Sequence, residues 1–191
     1  MNRIHPSLAF ALVFAVAALA VRFSPVPTNV ALMGGLSLFA GCYLRGWKAW
    51  VLPLGCMALS DLMGHWGRIS DMGFYHPATM ISVYLGYACM IALGGGLRRA
   101  GNEQANDHPL WVVSASGLGS IAFFIISNFG SWLDPQMGYA NSLAGLTECY
   151  WMALPFFRGT LLSDLFASAL FFGSYQLLRG LPVLDQTYTR S

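Results

Sequence analysis

Long apolar runs separated by short polar stretches dominate the pattern of hydrophobic and polar positions along the chain. A helix that crosses a membrane needs about 20 predominantly apolar residues, and six runs approach or reach this length. The pattern therefore predicts an all-α integral membrane protein, built as a six-transmembrane-helix bundle. The predicted helices are residues 7–22, 28–44, 49–66, 79–97, 110–132 and 158–178.

The composition supports this prediction. Of the 191 residues, 56% are hydrophobic and only 9% are charged, against roughly 25% charged in an ordinary soluble domain. The length fits one domain that covers residues 1–191. A net charge of +2 argues against a nucleic-acid surface. The sequence shows no phosphate-binding loop motif, so ATP hydrolysis would need another chain.

Basic residues predict the orientation, because cytoplasmic loops of membrane proteins carry an excess of Lys and Arg. With the N-terminus inside, seven basic residues fall in inner segments and three in outer ones. The seven are Arg3, Arg45, Lys48, Arg98, Arg99, Arg179 and Arg190, and the three are Arg22, Arg68 and Arg158. We predict that both termini are cytoplasmic. The first run also has features of a signal peptide, but it continues through Arg22 to two prolines, which favours an uncleaved helix.

The remaining charged groups of the helices converge on the outer half of the predicted bundle. Asp61 and Asp164 each lie in a Leu-Ser-Asp-Leu segment, and we expect the two carboxylates at a similar outer depth because their helices run in opposite directions. Arg22 ends the first helix there, and Arg158 begins the sixth. Ionisable groups at membrane depth predict a functional site. The alternative is structural: the two arginines neutralise the two aspartates and fix the bundle.

The outer segments are also rich in aromatic residues. Some of them fit an interfacial belt, but aromatics beside a few fixed polar groups suit a cavity for a flat organic ligand. In such a site arginine would hold a carboxylate or phosphate, Asp and Asn would bind amide or amine groups, and aromatics would stack on the ring. The predicted substrate contacts are Arg22, Asn29, Asp61, His76, Tyr84, Asn128, Trp132, Tyr150, Arg158 and Asp164.

Catalytic and metal-binding patterns are weak by comparison. No Cys/His cluster has the spacing of a zinc site, and no nucleophile–base motif accompanies the aspartates. We predict no catalytic residue, no cofactor and no metal site. The four cysteines show no paired spacing, which argues against a disulfide scaffold.

The first helix carries a row of small residues, Ala11, Ala15 and Ala18. Small residues at this spacing let a second helix approach closely within a membrane. The row therefore predicts a contact with a partner protein, and packing inside the chain's own bundle is the alternative.

These features together resemble the S components of energy-coupling-factor (ECF) vitamin transporters: about 190 residues in six spans, small residues on the first helix, and ligand-type residues in outer loops. The resemblance implies a multi-pass protein of the bacterial cytoplasmic (inner) membrane. It also implies that a vitamin or metal ion binds at the outer face, and that the first helix docks onto a transmembrane coupling protein driven by two ATPases.

Several segments are also similar to an S-component-related family of bacterial transport proteins without an assigned substrate. They are residues 22–32, Ser60-Asp61, residues 127–132, Cys149-Tyr150 and residues 153–164. A cousin group, the solitary cobalamin transporters, is marked by a cobalt-ligating cysteine in the outer loop before the fourth helix. This chain reads Phe74-Tyr75-His76-Pro77 there, so the thiolate ligand is missing and His76 is the candidate replacement.

We therefore expect a membrane-embedded substrate-binding transport protein, not an enzyme. It would capture a small nutrient, a vitamin or heterocyclic compound, from the outer side. Its partners would be this small molecule, the lipid bilayer, and an ECF coupling subunit with its ATPases. We expect no nucleic-acid partner. One alternative is an autonomous vitamin transporter, a cobalamin transporter included, without an ATPase partner. A less favoured alternative is a membrane enzyme that uses Asp61 and Asp164.

Overall fold

The computed structural model describes residues 6–24, 31–69, 73, 76–100 and 108–179, and these residues are all helical or in short connections. This confirms the all-α prediction, and six α-helices are present where six were predicted. They are α1 (Pro6–Arg22), α2 (Met33–Tyr43), α3 (Lys48–Gly67), α4 (Pro77–Ala100), α5 (Pro109–Leu133) and α6 (Leu143–Arg179), with a 3-10 turn at Pro135–Met137 between the last two.

Three of these helices, α4, α5 and α6, are long and apolar enough to cross a membrane. Large apolar side chains stand exposed on their surfaces, among them Leu118, Ile125 and Phe166. Exposed apolar area on this scale is expected of a surface that contacts lipid. The helix α2 is different, because its 11 residues extend only about 16 Å, roughly half of the membrane's hydrocarbon thickness of about 30 Å.

The short helix α2 forms the centre of the bundle, and every residue from 33 to 42 is buried. Glycines allow α4 to pack directly on its backbone. A Cβ atom on Gly41 would overlap the carbonyl group of Ile91, and one on Gly94 would overlap that of Leu38. At the other side of α2, the ring of Phe39 packs edge-on against Phe14 of α1. The helix is therefore held by close backbone approach on one side and by aromatic packing on the other.

Consecutive helices run in opposite directions, which gives the bundle two ends. The Arg22 end is the end that holds the last turns of α1, α3 and α5. The Arg98 end is the opposite one, where Arg98 near the end of α4 donates a hydrogen bond to the Leu44 carbonyl just after α2. The Arg22 end corresponds to the predicted outer side.

The sixth helix differs from its prediction, since α6 begins at Leu143 rather than at residue 158. The predicted bounds left residues 133–157 between the fifth and the sixth helix. In the structure Pro155 lies inside the helix, which membrane helices tolerate when neighbouring groups satisfy the freed carbonyl. Ser142 caps the start of α6, and its hydroxyl accepts a hydrogen bond from the Gly145 amide at 3.2 Å. The second helix also begins later than predicted, at Met33, and residues 28–30 lie outside the described part of the chain.

Candidate functional site

Three helices meet at a charged network near the Arg22 end. Arg22 at the end of α1 donates to an Asp61 oxygen of α3 at 2.6 Å. The Tyr84 hydroxyl of α4 donates to the second Asp61 oxygen at 2.9 Å. The Asp61 side chain is 3% exposed, and the Arg22 side chain is 18% exposed. The structure thus brings together three of the predicted contacts, each from a different helix.

Within this network the guanidinium of Arg22 keeps a spare donor. Its Nε atom is buried and has no hydrogen-bond partner among the described residues. A buried donor without a partner is unfavourable by about 1–3 kcal/mol. Arg22 can therefore gain a hydrogen bond from a bound molecule that offers an acceptor at this position.

Asp164 occupies a second and deeper position, near the middle of α6. Its carboxylate accepts a hydrogen bond from the Ser120 hydroxyl of α5 at 2.8 Å. It also lies close to Gly34 and Met90. A Cβ atom added to Gly34 would overlap both the Asp164 carboxyl group and the Met90 sulfur atom. Met90 is six residues beyond Tyr84 along α4, which corresponds to about 9 Å. The expectation of similar depth for the two aspartates was therefore wrong.

Tyr87 connects the two positions. It is buried in the core, and its phenol lies within electrostatic reach of Asp164, Arg22 and Asp61. The sequence analysis missed it. Its position three residues after Tyr84 on α4 was the available signal, since residues at that spacing share a helix face.

His76 lies at the start of α4 and caps that helix. Its Nδ1 atom accepts a hydrogen bond from the Ala78 amide at 3.3 Å, and lies 4.0 Å from the nearest Asp134 oxygen. Asp134, which is 1% exposed, accepts from the Thr79 hydroxyl at 2.7 Å. It also accepts from the Gln136 amide at 2.9 Å. The observed contacts of His76 are thus those of a helix cap, and Nδ1 is used by the backbone.

Asp134 was not selected from the sequence, although a signal existed. An Asp directly before Pro135 is a typical cap of a new helical turn, and Asp134 caps the 3-10 turn in this way. Because it also binds Thr79, it ties the end of α5 to the start of α4. Its role at the Arg22 end is to fix the connection that lies beside the charged network.

Three further predicted contacts bind backbone carbonyls of α5 and the connection that follows it. The Asn128 amide donates to Phe124 at 2.8 Å, and the Trp132 indole donates to Ala140 at 2.9 Å. The Tyr150 hydroxyl donates to Ile125 at 2.7 Å. The Asn128 bond lies within α5, and the Trp132 and Tyr150 bonds hold the connection and the first half of α6 against α5.

The remaining predicted contacts do not join the network. Arg158 lies within α6, not at its start, and is exposed. It forms no ion pair with any residue that the structure describes, so it does not neutralise Asp164. Asn29 lies outside the described residues. Of the predicted set, the structure brings Arg22, Asp61 and Tyr84 into contact and places Asp164 deeper along the same bundle.

The alanine row of α1 faces inward. Ala11, Ala15 and Ala18 are 0%, 4% and 1% exposed, within the hydrophobic core of this chain. The face of α1 that is exposed carries Leu12, Val13 and Val16 instead. In this structure the row serves internal packing, which was the alternative interpretation, and it is not free to contact a partner.

The chain belongs to a protein family of unknown function, DUF6580, whose model matches residues 2–184. No curated protein and no solved structure matches the chain. The resemblance to S components is therefore a prediction from the residues quoted above, and the site has to be interpreted from its own chemistry.

Proposed function

We propose that this chain is a membrane-embedded transport protein that binds a small heterocyclic or vitamin-like nutrient at the Arg22 end. The proposal includes six membrane crossings with both termini in the cytoplasm. The observation that carries it is the network of Arg22, Asp61 and Tyr84 inside an otherwise apolar helical bundle. Polar and ionisable groups are expensive in a membrane interior, and they mark substrate or ion pathways more often than they serve packing.

The charges of the network favour an uncharged ligand. Asp61 already neutralises Arg22, so a carboxylate or phosphate would have to compete with Asp61 for the guanidinium. A neutral heteroaromatic ring that carries a carbonyl or ring nitrogen needs only the spare Nε donor of Arg22. The ring of Tyr84, whose hydroxyl bonds the same carboxylate as Arg22, supplies flat apolar surface at the network. This combination of aromatic surface with a few fixed polar groups is typical of small-molecule sites.

The buried alanine row favours a second candidate, an autonomous transporter without an ATPase partner. A coupling subunit that docked on Ala11, Ala15 and Ala18 would have to displace the chain's own core. The two candidates share the same substrate site and differ only in their source of energy. They can therefore be separated by uptake measurements in a host that lacks any coupling subunit.

The uptake experiment needs substitutions that do not disturb the core. Leu in place of Ala11 or Ala15 would overpack the bundle, so loss of uptake would be uninformative. Trp in place of Val13 and Val16, which are 64% and 67% exposed, would obstruct a partner helix without entering the core. Coupled transport predicts that these two substitutions stop uptake, and autonomous transport predicts that uptake continues without any added subunit.

Ligand identification tests the substrate site directly. The protein would be extracted in mild detergent from its native host, and the released small molecules would be identified by absorption spectroscopy and mass spectrometry. We expect a stoichiometric ligand in the wild type and at least a tenfold lower content after Arg22→Ala. Tyr84→Phe, which removes the hydrogen bond to Asp61 but keeps the ring, should have an intermediate effect.

Arg99→Ala is the matched control, because Arg99 is an exposed arginine near the Arg98 end. It should retain the ligand and the thermal midpoint of the wild type. Equal ligand content in Arg22→Ala and Arg99→Ala would contradict the site. Loss of folded protein in Arg22→Ala, with no ligand detected in the wild type, would support the structural interpretation of the Arg22–Asp61 pair.

A further inference from the structure

Asp164 is a buried carboxyl group that the substrate site does not use. It is 4% exposed, and the Ser120 hydroxyl supplies its hydrogen bond. Within residues 6–24, 31–69, 73, 76–100 and 108–179, no Lys, Arg or His forms an ion pair with it. This contrasts with Asp61, whose charge is matched by Arg22.

The groups that face Asp164 from the neighbouring helices are almost all uncharged. On α2 and α4 its neighbours include Gly34 and Met90, since a Cβ atom on Gly34 would meet both the Asp164 carboxyl group and the Met90 sulfur. The Tyr87 phenol on α4 is the titratable group within electrostatic reach, and α5 contributes Ser120. The aromatic residues of α1 pack on α6 nearer the Arg98 end, where Phe14 stacks on Phe171. The ionised form of Asp164 would therefore be an isolated negative charge in an apolar bundle.

An isolated buried carboxylate is strongly unfavourable, and such a group takes up a proton instead. A bound Na⁺ or Ca²⁺ would need several oxygen ligands around one point. Among the described residues, the Ser120 hydroxyl is the side-chain oxygen that bonds Asp164, and no group of three or more His, Cys, Asp or Glu that could hold a metal ion is found there. The composition of the site therefore favours a proton over a metal cation.

The surroundings also provide a means to release the proton. Gly34 lies in the first turn of α2, and the N-terminal turn of a helix carries a partial positive charge that favours an anion beside it. Beyond Ser120, towards the Arg98 end, the Ser168 hydroxyl donates to the Ser116 hydroxyl at 3.0 Å. All of these serines are buried, so a row of hydroxyl groups continues from Asp164 between α5 and α6.

We propose that Asp164 is a proton-binding site, and that its proton leaves through the serine row. In the arrangement described here the carboxyl group is protonated. Release breaks its O–H bond, and the proton passes to water that reaches the site from the serine row. The first turn of α2, which lies against Asp164, favours the carboxylate that remains. This inference goes beyond the proposed substrate site, because it assigns to the chain a second site, which takes a proton.

Infrared spectroscopy of the purified protein in detergent, without any added substrate, tests the proposal. A protonated carboxyl group has a C=O stretching band that a carboxylate lacks. We expect this band in the wild type at neutral pH and its loss in Asp164→Asn. It should persist in Asp61→Asn and in Asp134→Asn, which remove the other two buried carboxyl groups. Absence of a band that depends on Asp164 would overturn the proposal.

Ser120→Ala provides a second test that does not depend on the folding of Asp164→Asn. It removes the hydrogen bond to the carboxyl group, so it should move the band to higher frequency without abolishing it. An unchanged band would overturn the assignment.

A third measurement compares Na⁺ with choline at fixed pH. If Na⁺ stabilises the wild type relative to choline, and Asp164→Asn removes that effect, the site binds a metal cation and the proton assignment is wrong. None of these measurements uses a substrate, so failure of the substrate site would leave all three results interpretable.

Discussion

The two Leu-Ser-Asp-Leu segments of this protein are identical in sequence and similar in local structure, yet their aspartates have different surroundings. In both segments the serine hydroxyl bonds a carbonyl three residues earlier: Ser60 bonds Met57 at 2.8 Å, and Ser163 bonds Thr160 at 3.0 Å. Both aspartates are buried. Asp61, however, contacts a cation, whereas Asp164 contacts a neutral hydroxyl.

The comparison shows that the role of a buried aspartate depends on the helix opposite it, not on its own segment. The end of α1 provides Arg22 to Asp61. The middle of α5 provides only Ser120 to Asp164, and the start of α2 is too close to admit a larger group at Gly34. Asp61 is therefore expected to behave as a charged group that pairs with Arg22 and bonds Tyr84. Asp164 is expected to behave as a neutral group that exchanges a proton.

Asp61→Asn should have the largest effect on stability. It leaves the Arg22 guanidinium without its counter-charge, and breaking a largely buried ion pair typically costs about 3 kcal/mol or more. We expect a large fall in the thermal midpoint of the protein in detergent. Glu148→Gln, the same chemical change at an exposed position of α6, should leave the midpoint unchanged.

A double substitution shows whether the ion pair causes this effect. Arg22→Gln combined with Asp61→Asn removes both charges, so it should recover much of the stability lost in Asp61→Asn. Strictly additive losses in the double variant would mean that Arg22 and Asp61 do not interact as the geometry indicates.

Gly34→Ala should destabilise the protein by about 2 kcal/mol, since overpacking of a close helix contact typically costs about 1–3 kcal/mol. The added methyl group would overlap the Asp164 carboxyl group and the Met90 sulfur. Gly55→Ala on α3 is the matched control, because a Cβ atom there meets open space. Thermal unfolding of both variants should separate them, and equal midpoints would contradict the close approach of α2 to α6.

Ser120→Ala should cost about 1 kcal/mol, the usual net value of one hydrogen bond. Its loss leaves the Asp164 carboxyl group without the partner observed here. Ser114→Ala, at an exposed position of the same helix, should have no measurable effect on the thermal midpoint. A similar loss in both variants would contradict a stabilising bond between Ser120 and Asp164, because Ala has a higher helix propensity than Ser and propensity alone would not lower either midpoint.

Much of the fold could be predicted from the sequence, because apolar runs of membrane length are a strong signal. The predicted bounds of α1, α3, α4 and α5 agree with the structure within three residues. The first half of α6 was missed; it contains Pro155, and a proline usually ends or kinks a helix. The cap at Ser142 was a usable signal for its start, but a single serine in a polar stretch carries little weight against a proline.

The candidate site was predicted only in part. Arg22, Asp61 and Tyr84 could be selected because charged and phenolic groups are rare in the apolar runs, and the predicted up-down order puts them at one end. The pairing of Asp61 rather than Asp164 with Arg22 could not be predicted. It depends on how far each aspartate lies from the end of its helix, and the wrong start of α6 concealed that depth. Ala11, Ala15 and Ala18 point inward because their face of α1 meets α2. The sequence of α1 alone does not show which of its faces meets another helix.

Asp164→Asn should have the smallest effect of these substitutions, less than about 1 kcal/mol at about pH 4, where the wild-type carboxyl group is protonated. A neutral amide replaces a neutral carboxyl group, and its carbonyl can still accept the hydrogen bond from Ser120. The wild type should lose stability as the pH rises above about 4, the usual pKa of an aspartate, because the unfolded chain then releases a proton that the folded bundle still holds. Asp164→Asn has no such proton to release, so it should lack this component of the loss. Thermal midpoints measured from about pH 4 to alkaline pH would show this as two curves that separate from about pH 4 upwards. Parallel curves, or a large loss in Asp164→Asn at neutral pH, would mean that Asp164 is already ionised and needs its charge, as Asp61 does.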